Sequence, residues 1–105
     1  MAQKTAKFSV GQVVQHALFN YRGVIVDVDP EFTRSESWYQ RVARSRPPKD
    51  QPWYQILVHD SDVQTYVAER HLLSDAMDEP IDHPQVDQFF KEFRNGCYTP
   101  RSRMN

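Results

Sequence analysis

Two carboxylates, Asp27 and Asp29, come closest to a catalytic or metal-binding arrangement in residue type and spacing. They alternate along an apolar run, so in a β-strand their side chains would lie on the same face. Two neighbouring carboxylates can serve in acid–base catalysis or bind a metal ion. However, Pro30 follows directly, and proline cannot donate a hydrogen bond to a neighbouring strand. We therefore interpret the pair as the polar end of a strand that enters a turn.

The histidines and the single cysteine, Cys97, do not form a recognisable metal-binding motif. No two histidines have the spacing of a helical zinc site, and only one thiol is present. Asp60–Ser61–Asp62 begins like a calcium-binding loop, but it lacks the later glycine and the terminal glutamate, which favours a hairpin turn. The sequence predicts neither a bound metal nor a cofactor. We expect the histidines at the surface or at strand edges: His16, His59, His71 and His83.

Motifs of nucleophilic and phosphate-binding enzymes are also missing from the sequence. There is no Gly-x-Ser-x-Gly elbow, and three glycines in the whole chain leave little material for a phosphate-cradling loop. We therefore predict that the protein is not an enzyme.

One stretch, residues 31–51, combines cationic and aromatic side chains as nucleic-acid binding requires. Clustered arginines and lysines neutralise phosphates, and aromatic or apolar side chains contact base edges or extruded bases. Trp38 and Tyr39 lie in this stretch among the candidate DNA-binding residues Arg34, Arg41, Arg44, Arg46 and Lys49. The alternative is a solvated, partly disordered loop, because charge runs usually face water. The following stretch is acidic and would repel phosphates; it contains Asp60, Asp62, Glu69, Asp75, Asp78, Glu79, Asp82 and Asp87.

The elements that must position these residues are mostly strands. β-branched and aromatic runs separated by polar turns predict a mainly β fold, a small SH3-like antiparallel barrel of five or six strands. We predict hairpins over 13–28 and 53–67, a short helix opening near Ser35, and a short strand near 71–73. In the second strand, Val24, Val26 and Val28 should share one face, with Ile25 on the other. The blocks that carry this pattern are 7–16, 21–32, 52–58 and 65–69.

The carboxyl-terminal part has the pattern of an amphipathic helix. Val86, Phe89, Phe90 and Phe93 recur at the spacing of one helical face, and Asn95–Gly96 supplies a helix stop. We predict a C-terminal α-helix whose phenylalanines pack on the barrel or against a neighbouring subunit. The chain is thus divided into a barrel domain at 8–75, with a long basic loop at 31–51, and a segment at 76–105 that holds an acidic linker, the helix and a basic tail.

The ordered blocks quoted above resemble the heat-shock protein HspQ family, also described as YccV-like and hemimethylated-DNA-binding, from about residue 7 to about residue 100. The resemblance implies two functions. One is recognition of hemimethylated duplex DNA. The other is a heat-shock role in the turnover of denatured proteins, including the replication initiator DnaA, by stimulation of the ATP-dependent protease Lon. The resemblance also implies that the protein is itself a substrate of Lon.

Charge favours the degradation role over DNA binding. The formal net charge is −1, and a near-neutral chain with a long acidic stretch is a poor electrostatic match for duplex DNA. Trp53 and Tyr54 can anchor a partner or fill the core, and we expect Trp53 to be buried. The candidate protein-binding residues are Trp38, Tyr39, Tyr54, Arg101 and Arg103.

Size and composition indicate where the protein works. A chain of 105 residues builds one small core, so a homodimer or homotrimer would add stability. No apolar run approaches the length of a membrane-spanning helix, and no signal-like apolar core follows the first residues. Together with the single cysteine, this predicts a cytoplasmic protein without membrane or disulfide.

Overall fold

The computed structural model describes residues 5–43 and 45–101 of the chain and confirms a mainly β fold. Two short helices, α1 (Glu36–Val42) and α2 (Val86–Phe89), and a 3₁₀ turn (Glu69–His71) interrupt the strands. The strands are β1 (Val13–His16), β2 (Arg22–Asp29), β3 (Trp53–Val58), β4 (Gln64–Ala68), β5 (Leu72–Ser74), β6 (Phe90–Arg94) and β7 (Cys97–Pro100).

Five of the strands form one antiparallel sheet in the order β4-β3-β2-β1-β5. The predicted hairpins β1–β2 and β3–β4 are present, and β5 confirms the short strand expected near residues 71–73. The edge strands β4 and β5 are not paired with each other in the described part of the chain. The antiparallel sheet is therefore shown, whereas its closure into an SH3-like barrel is not part of the observed pairing.

The hairpin turns are built from residues that tolerate positive φ. Asn20 (φ 62°) precedes β2, and Asp60 (φ 60°) lies in the β3–β4 turn. Asparagine and aspartate adopt this left-handed conformation more readily than other side chains because their short polar groups can bond locally. The Asp60–Ser61–Asp62 segment is therefore a hairpin turn, as the sequence predicted, with the Val58 amide donating to the Val63 carbonyl at 3.0 Å.

A β-bulge in β2 changes which valines share a face. The register with β3 shifts between Ile25 and Asp27. Val24 therefore packs in one cluster while Val28 packs against the cluster of Ile25. The prediction that Val24 and Val28 share a face is wrong, because an extra residue in one strand reverses the alternation beyond it.

Hydrophobic clusters lie on both faces of the sheet. Ile25, Tyr54 and Ile56 centre one cluster, and Val24 and Leu57 centre the other. A third cluster joins α1 to the sheet and contains Tyr39, Ala43, Trp53 and Ala68. Trp53 is buried, as predicted.

The predicted C-terminal α-helix is wrong beyond Phe89. Only four residues are helical, and the chain continues as the hairpin β6–β7. Asn95 and Gly96 both have positive φ, which is the requirement of a tight hairpin turn as much as of a helix stop. Phe90, the first residue of β6, is 1% exposed, whereas Phe89, the last residue of α2, is 36% exposed.

The hairpin packs within the same chain. Phe90 and Tyr98 share a cluster with Val13, Val24 and Leu57, so the intramolecular alternative is the one observed. Phe93 packs against the same cluster from a half-buried position. Among the described residues, no helix is long and apolar enough to cross a membrane.

Candidate binding groove

A groove of about 610 Å³ lies where α1, the β1–β2 turn and the β3–β4 hairpin meet. Its walls come from segments that are far apart in sequence. The groove, as we call it from here, is lined by His16, Leu18, Phe19, Tyr21, Arg34, Trp38, Val42, Ala43, Ser45, Pro47, Trp53, Gln55, Gln64, Thr65, Tyr66, Val67, Ala68 and His71.

Aromatic rings form one wall of the groove. The Tyr66 ring stacks on Trp53 with centroids 5.2 Å apart, and Trp38 meets Tyr66 edge-on at 5.7 Å. Phe32 packs behind them, 5.0 Å from Trp53. Such edge-to-face and offset contacts stabilise aromatic clusters, so this wall is preformed.

Helix α1 holds Trp38 in that wall. The Ser35 hydroxyl caps the helix by accepting the Trp38 amide at 3.1 Å, which satisfies one of the free N–H groups of the first turn. Tyr39 and Ala43 face the sheet and pack against Trp53 and Ala68. The predicted short helix is thus confirmed, and its packing fixes the direction of Trp38.

Hydrogen bonds fix the hydroxyl end of Tyr66. The Tyr66 hydroxyl donates to Asp29 Oδ2 at 2.7 Å and accepts the Thr33 amide at 3.1 Å. Burial, with the Asp29 carboxylate adding to it, raises the pKa of Tyr66, so the phenol stays neutral. Asp29 therefore has a positioning role, in keeping with its interpretation as strand-end chemistry.

An exposed apolar rim borders the groove. Phe19 is 73% exposed and Val42 is 54% exposed, and Leu18 beside Phe19 is exposed as well. His16 orders this turn, because its Nδ1 accepts the amides of Leu18 and Phe19 at 3.1 and 3.2 Å and its ring stacks on Phe19. Exposed apolar side chains gathered around one cavity mark binding sites more often than isolated apolar residues do.

Polar groups cross the groove at two points. Tyr21 and Thr65 share a hydroxyl hydrogen bond of 2.8 Å, and the His71 ring lies 3.4 Å from the Ser45 hydroxyl. Burial raises the pKa of Tyr21. Burial, then the charge of Arg70, lowers the pKa of His71, which favours the neutral imidazole.

Arg34 gives the groove a positive charge. None of the described residues that line it is acidic. The Arg34 guanidinium lies 4.6 Å from the centroid of the Tyr66 ring and makes no hydrogen bond or ion pair with any described residue. A cation on an aromatic face is stabilised by the ring electrons, but its N–H donors remain available.

The structure places the other predicted DNA-binding residues outside the groove lining. Arg41 is exposed on α1, and Arg46 is exposed 6.0 Å from the Tyr39 ring centroid. Lys49 forms an ion pair with Glu36 and lies over Tyr39, so part of its charge is neutralised. Arg44 lies outside the described residues. Arg34 alone of the described candidates lines the groove.

Of the predicted protein-binding residues, Trp38 lines the groove and two others are buried. Tyr39 packs in the core and donates its hydroxyl to the Pro47 carbonyl at 2.7 Å. The Tyr54 side chain is fully buried, and its hydroxyl accepts the Phe8 amide and donates to Glu69. We remove Tyr54 and Tyr39 from the candidate contacts, because strand and helix packing turn both inward.

The basic tail is anchored as far as Arg101. Its amide donates to the Phe89 carbonyl at 3.0 Å, and its guanidinium donates to the Asp87 carbonyl at 2.6 Å. The expected freedom beyond Pro100 therefore does not apply to Arg101. Arg103 lies outside the described residues.

Two of the histidines are not where the sequence predicted. His16 and His83 are buried, with His83 bonded to the Gln85 amide and to the Val63 carbonyl. Polar rings are buried only with partners, and local backbone groups supply them here. Within the described ranges, no group of three or more histidine, cysteine or acidic residues is placed to hold a metal ion.

Sequence reasoning missed the apolar rim and the Tyr66 wall. A signal for the rim was present, because Leu18 and Phe19 occupy a turn where polar residues are usual. Tyr66 carried no such signal, since a tyrosine in a strand is as typical of ordinary sheet packing as of a binding surface.

A comparison with protein families agrees with this domain. The family model described as "Hemimethylated DNA-binding protein YccV like" matches residues 6–97, which covers the sheet, α1, the groove and most of the C-terminal hairpin. The chain therefore belongs to the YccV-like family.

Proposed function

We propose that the protein is a non-enzymatic accessory of protein degradation. It binds apolar segments of denatured proteins in the groove and promotes their degradation by an ATP-dependent protease such as Lon. The replication initiator DnaA is one client of the kind that the HspQ resemblance implies. The observation that carries the proposal is the preformed aromatic groove with an exposed apolar rim at Phe19 and Val42.

The dimensions and chemistry of the groove support this use. Ligand sites commonly have volumes of about 300–1,000 Å³ and are lined mainly by apolar and aromatic groups. An unfolded segment exposes apolar side chains that a native protein buries, so such a groove discriminates unfolded from folded clients. Rising temperature increases the unfolded population and therefore the supply of ligands.

The test is degradation of a denatured client by purified Lon with and without this protein. We expect stimulation by the wild-type chain and weaker stimulation by Val42→Ser, which removes apolar surface from the rim. Val63→Ser is the matched control, because Val63 is similarly exposed (48% against 54%) but does not line the groove. Absence of stimulation by the wild type would reject the proposal, and equal loss in both variants would remove the groove from it.

Truncation of the C-terminal tail tests whether the tail contributes to stimulation, and the truncated chain should not end at Gly96. Removal of everything after Gly96 would delete β7 and the buried Tyr98, so a loss of function would report unfolding. A chain that ends after Arg101 keeps the hairpin and its hydrogen bonds to residues 87 and 89. Full stimulation by this shorter chain would show that residues beyond it, including Arg103, are not needed.

Binding of hemimethylated duplex DNA is the second candidate function. The observation in its favour, besides the family description, is that Arg34, Arg41 and Arg46 are exposed in and around α1. Neutralising Arg41, Arg44 and Arg46 together should flatten the dependence of log affinity on log salt by about three, since each phosphate contact contributes about 0.9. An unchanged slope would exclude these residues from a DNA interface, and equal affinity for unmethylated duplex would exclude recognition of methylation.

A further inference from the structure

One arginine distinguishes the groove from a purely apolar cleft. Arg34 is the only charged side chain among the described lining residues, apart from the two titratable histidines. Its guanidinium is held over Tyr66 and is paired with no carboxylate of the described residues. An arginine that lines an open groove is suited to a carboxylate or phosphate, because the fork of N–H groups can bind two oxygens at once.

The surroundings of Arg34 decide between an anionic and a cationic ligand. No described residue of the lining carries a carboxylate, and the exposed cations Arg41, Arg46 and Arg70 lie on the neighbouring segments. Arg70 borders the groove through its bond to the Ser45 carbonyl at 2.9 Å. A ligand with positive charge would be repelled at each of these positions. A negative charge would meet no like charge among the described lining residues, and the nearby Asp29 carboxylate accepts the Tyr66 hydroxyl.

The apolar lining decides between a peptide and a nucleic acid. Beside Arg34, the groove offers the rings of Trp38 and Tyr66 and the exposed side chains of Phe19 and Val42. A phosphate backbone is bound by several cations along its path, and within the groove it would meet one guanidinium. An apolar side chain fills this surface, and in an extended peptide the side chain two residues further points to the same face, about 6.8 Å along the chain.

We propose that the groove selects client segments in which an aromatic or large aliphatic side chain is flanked by a carboxylate, with Arg34 as the specificity-determining residue. The proposal rests on the proposed function and names its substrate class. The apolar side chain packs against Trp38 and Tyr66. The carboxylate of an aspartate or glutamate two residues away accepts the hydrogen bonds of the Arg34 guanidinium.

The probes are fluorescein-labelled peptides with one leucine–phenylalanine centre and flanks of aspartate, asparagine or lysine. Anisotropy titrations should give an affinity for the aspartate peptide about tenfold above that for the asparagine peptide, which equals about 1.4 kcal/mol. The lysine peptide should bind more weakly than either. Because Trp38 lines the groove, binding should also change tryptophan emission, which locates the peptide.

The matched variants are Arg34→Gln and Arg41→Gln, which remove the same charge inside and outside the groove lining. We expect Arg34→Gln to abolish the preference for aspartate and to leave the asparagine peptide bound as before. Arg41→Gln should keep most of the preference. A similar loss in both variants would show general electrostatic attraction and would overturn the role of Arg34.

Failure of this inference can be told apart from failure of the proposed function. If all the peptides bind equally and Lon stimulation persists, the carboxylate preference is wrong and the accessory role stands. If no peptide binds, the inference and the groove-based function are both wrong. If a hemimethylated duplex binds through Arg34 and displaces the aspartate peptide, the groove belongs to nucleic acid and the inference is overturned.

Discussion

At the scale of single residues, Tyr54 and His16 show how buried polar groups hold the groove's supports in place. The Tyr54 hydroxyl links the Phe8 amide to the Glu69 carboxylate inside the sheet. The His16 ring is buried between Phe19, Tyr21 and His71. Each ring fills core volume and also accepts backbone amides, a buried one at Tyr54 and two partly buried ones at His16.

Replacement of Tyr54 by phenylalanine should destabilise the protein by about 1–3 kcal/mol. The change keeps the ring but leaves the buried Phe8 amide without its acceptor at 3.2 Å, which is the costly case for a hydrogen bond. Urea denaturation followed by tryptophan fluorescence measures the difference. A loss below about 0.5 kcal/mol would show that water or another group replaces the hydroxyl.

The same residue should make the wild type sensitive to alkaline pH. Burial, then the hydrogen bond to Glu69, raises the pKa of Tyr54 to about 12 from its ordinary value of 10.0. The folded state therefore retains a proton that the unfolded state loses, so this contribution to stability decreases as pH rises from 10 towards 12. The free energy of unfolding of Tyr54→Phe should fall less over that range than that of the wild type.

Acidification should loosen the turn that carries Phe19. Burial, then the nearby His71, lowers the pKa of His16 below 6.5, and Nδ1 can accept the Leu18 and Phe19 amides only while unprotonated. The unfolded state takes up the proton first, so the free energy of unfolding should fall as pH drops below 6.5.

The variant His16→Asn tests that assignment. The asparagine side-chain oxygen can occupy the position of Nδ1 and accept the same amides, but it does not titrate. We expect a flatter dependence of stability on pH between 7 and 5 in this variant than in the wild type. An unchanged dependence would assign the effect to His71 or to other groups.

At the scale of elements, two glycines with positive φ have different roles. Gly11 (φ 93°) precedes β1, and a Cβ atom there would lie 2.2 Å from the Tyr98 carbonyl oxygen in β7. Gly96 (φ 80°) is in the β6–β7 turn, where a Cβ atom would meet Asp78 at 3.2 Å. The first glycine permits close contact between two elements, and the second permits a turn.

Gly11→Ala should therefore cost about 1–3 kcal/mol more than Gly96→Ala. Both changes incur the strain of a side chain at positive φ. Only Gly11→Ala also forces apart the backbones at Gly11 and Tyr98, where the Tyr98 amide donates to the Gly11 carbonyl at 2.7 Å. Thermal unfolding of the two variants measures the difference. Equal losses of stability in the two variants would mean that the β6–β7 hairpin moves away from Gly11→Ala without a cost in free energy.

At the scale of the whole molecule, the C-terminal hairpin is part of the core rather than an attachment to it. Phe90 and Tyr98 complete the cluster around Val24 and Leu57 on the face of the sheet. The Ile81 amide is bound by the Tyr98 hydroxyl at 2.7 Å, which ties the acidic connecting segment to the same cluster. The sheet and the hairpin should therefore unfold together.

Phe90→Ala should cost about 3–5 kcal/mol and should lower stability in one cooperative transition, as expected for a large buried side chain. Phe89→Ala is the matched control, because the neighbouring ring is 36% exposed and should contribute much less. Denaturant unfolding compares them. A similar loss in both would fit the helical face that the sequence suggested and would contradict the strand.

The sequence by itself determined the local elements of this protein. β-branched runs and turn residues were sufficient for the first five strands, and Ser35 was sufficient for the start of α1, because these signals act over a few residues. The same local logic failed at 86–94, where the apolar residues have a helical spacing but the chain is a strand from Phe90 onward. The outcome there depends on which phenylalanine meets Val24 and Leu57, and these residues are remote in sequence.

Only the tertiary structure decided the groove. Phe19, Trp38 and Tyr66 come from three distant segments, and their meeting depends on the sheet order and on the packing of α1 against Trp53. The register of β3 and β4 likewise decided that Tyr54 lies on a buried face of the sheet while Tyr66 lies on the face that lines the groove. A bulge or a shift of one residue would exchange the two faces of a strand. Residue types indicated which side chains could bind a partner, but the packing of distant elements determined which ones are accessible.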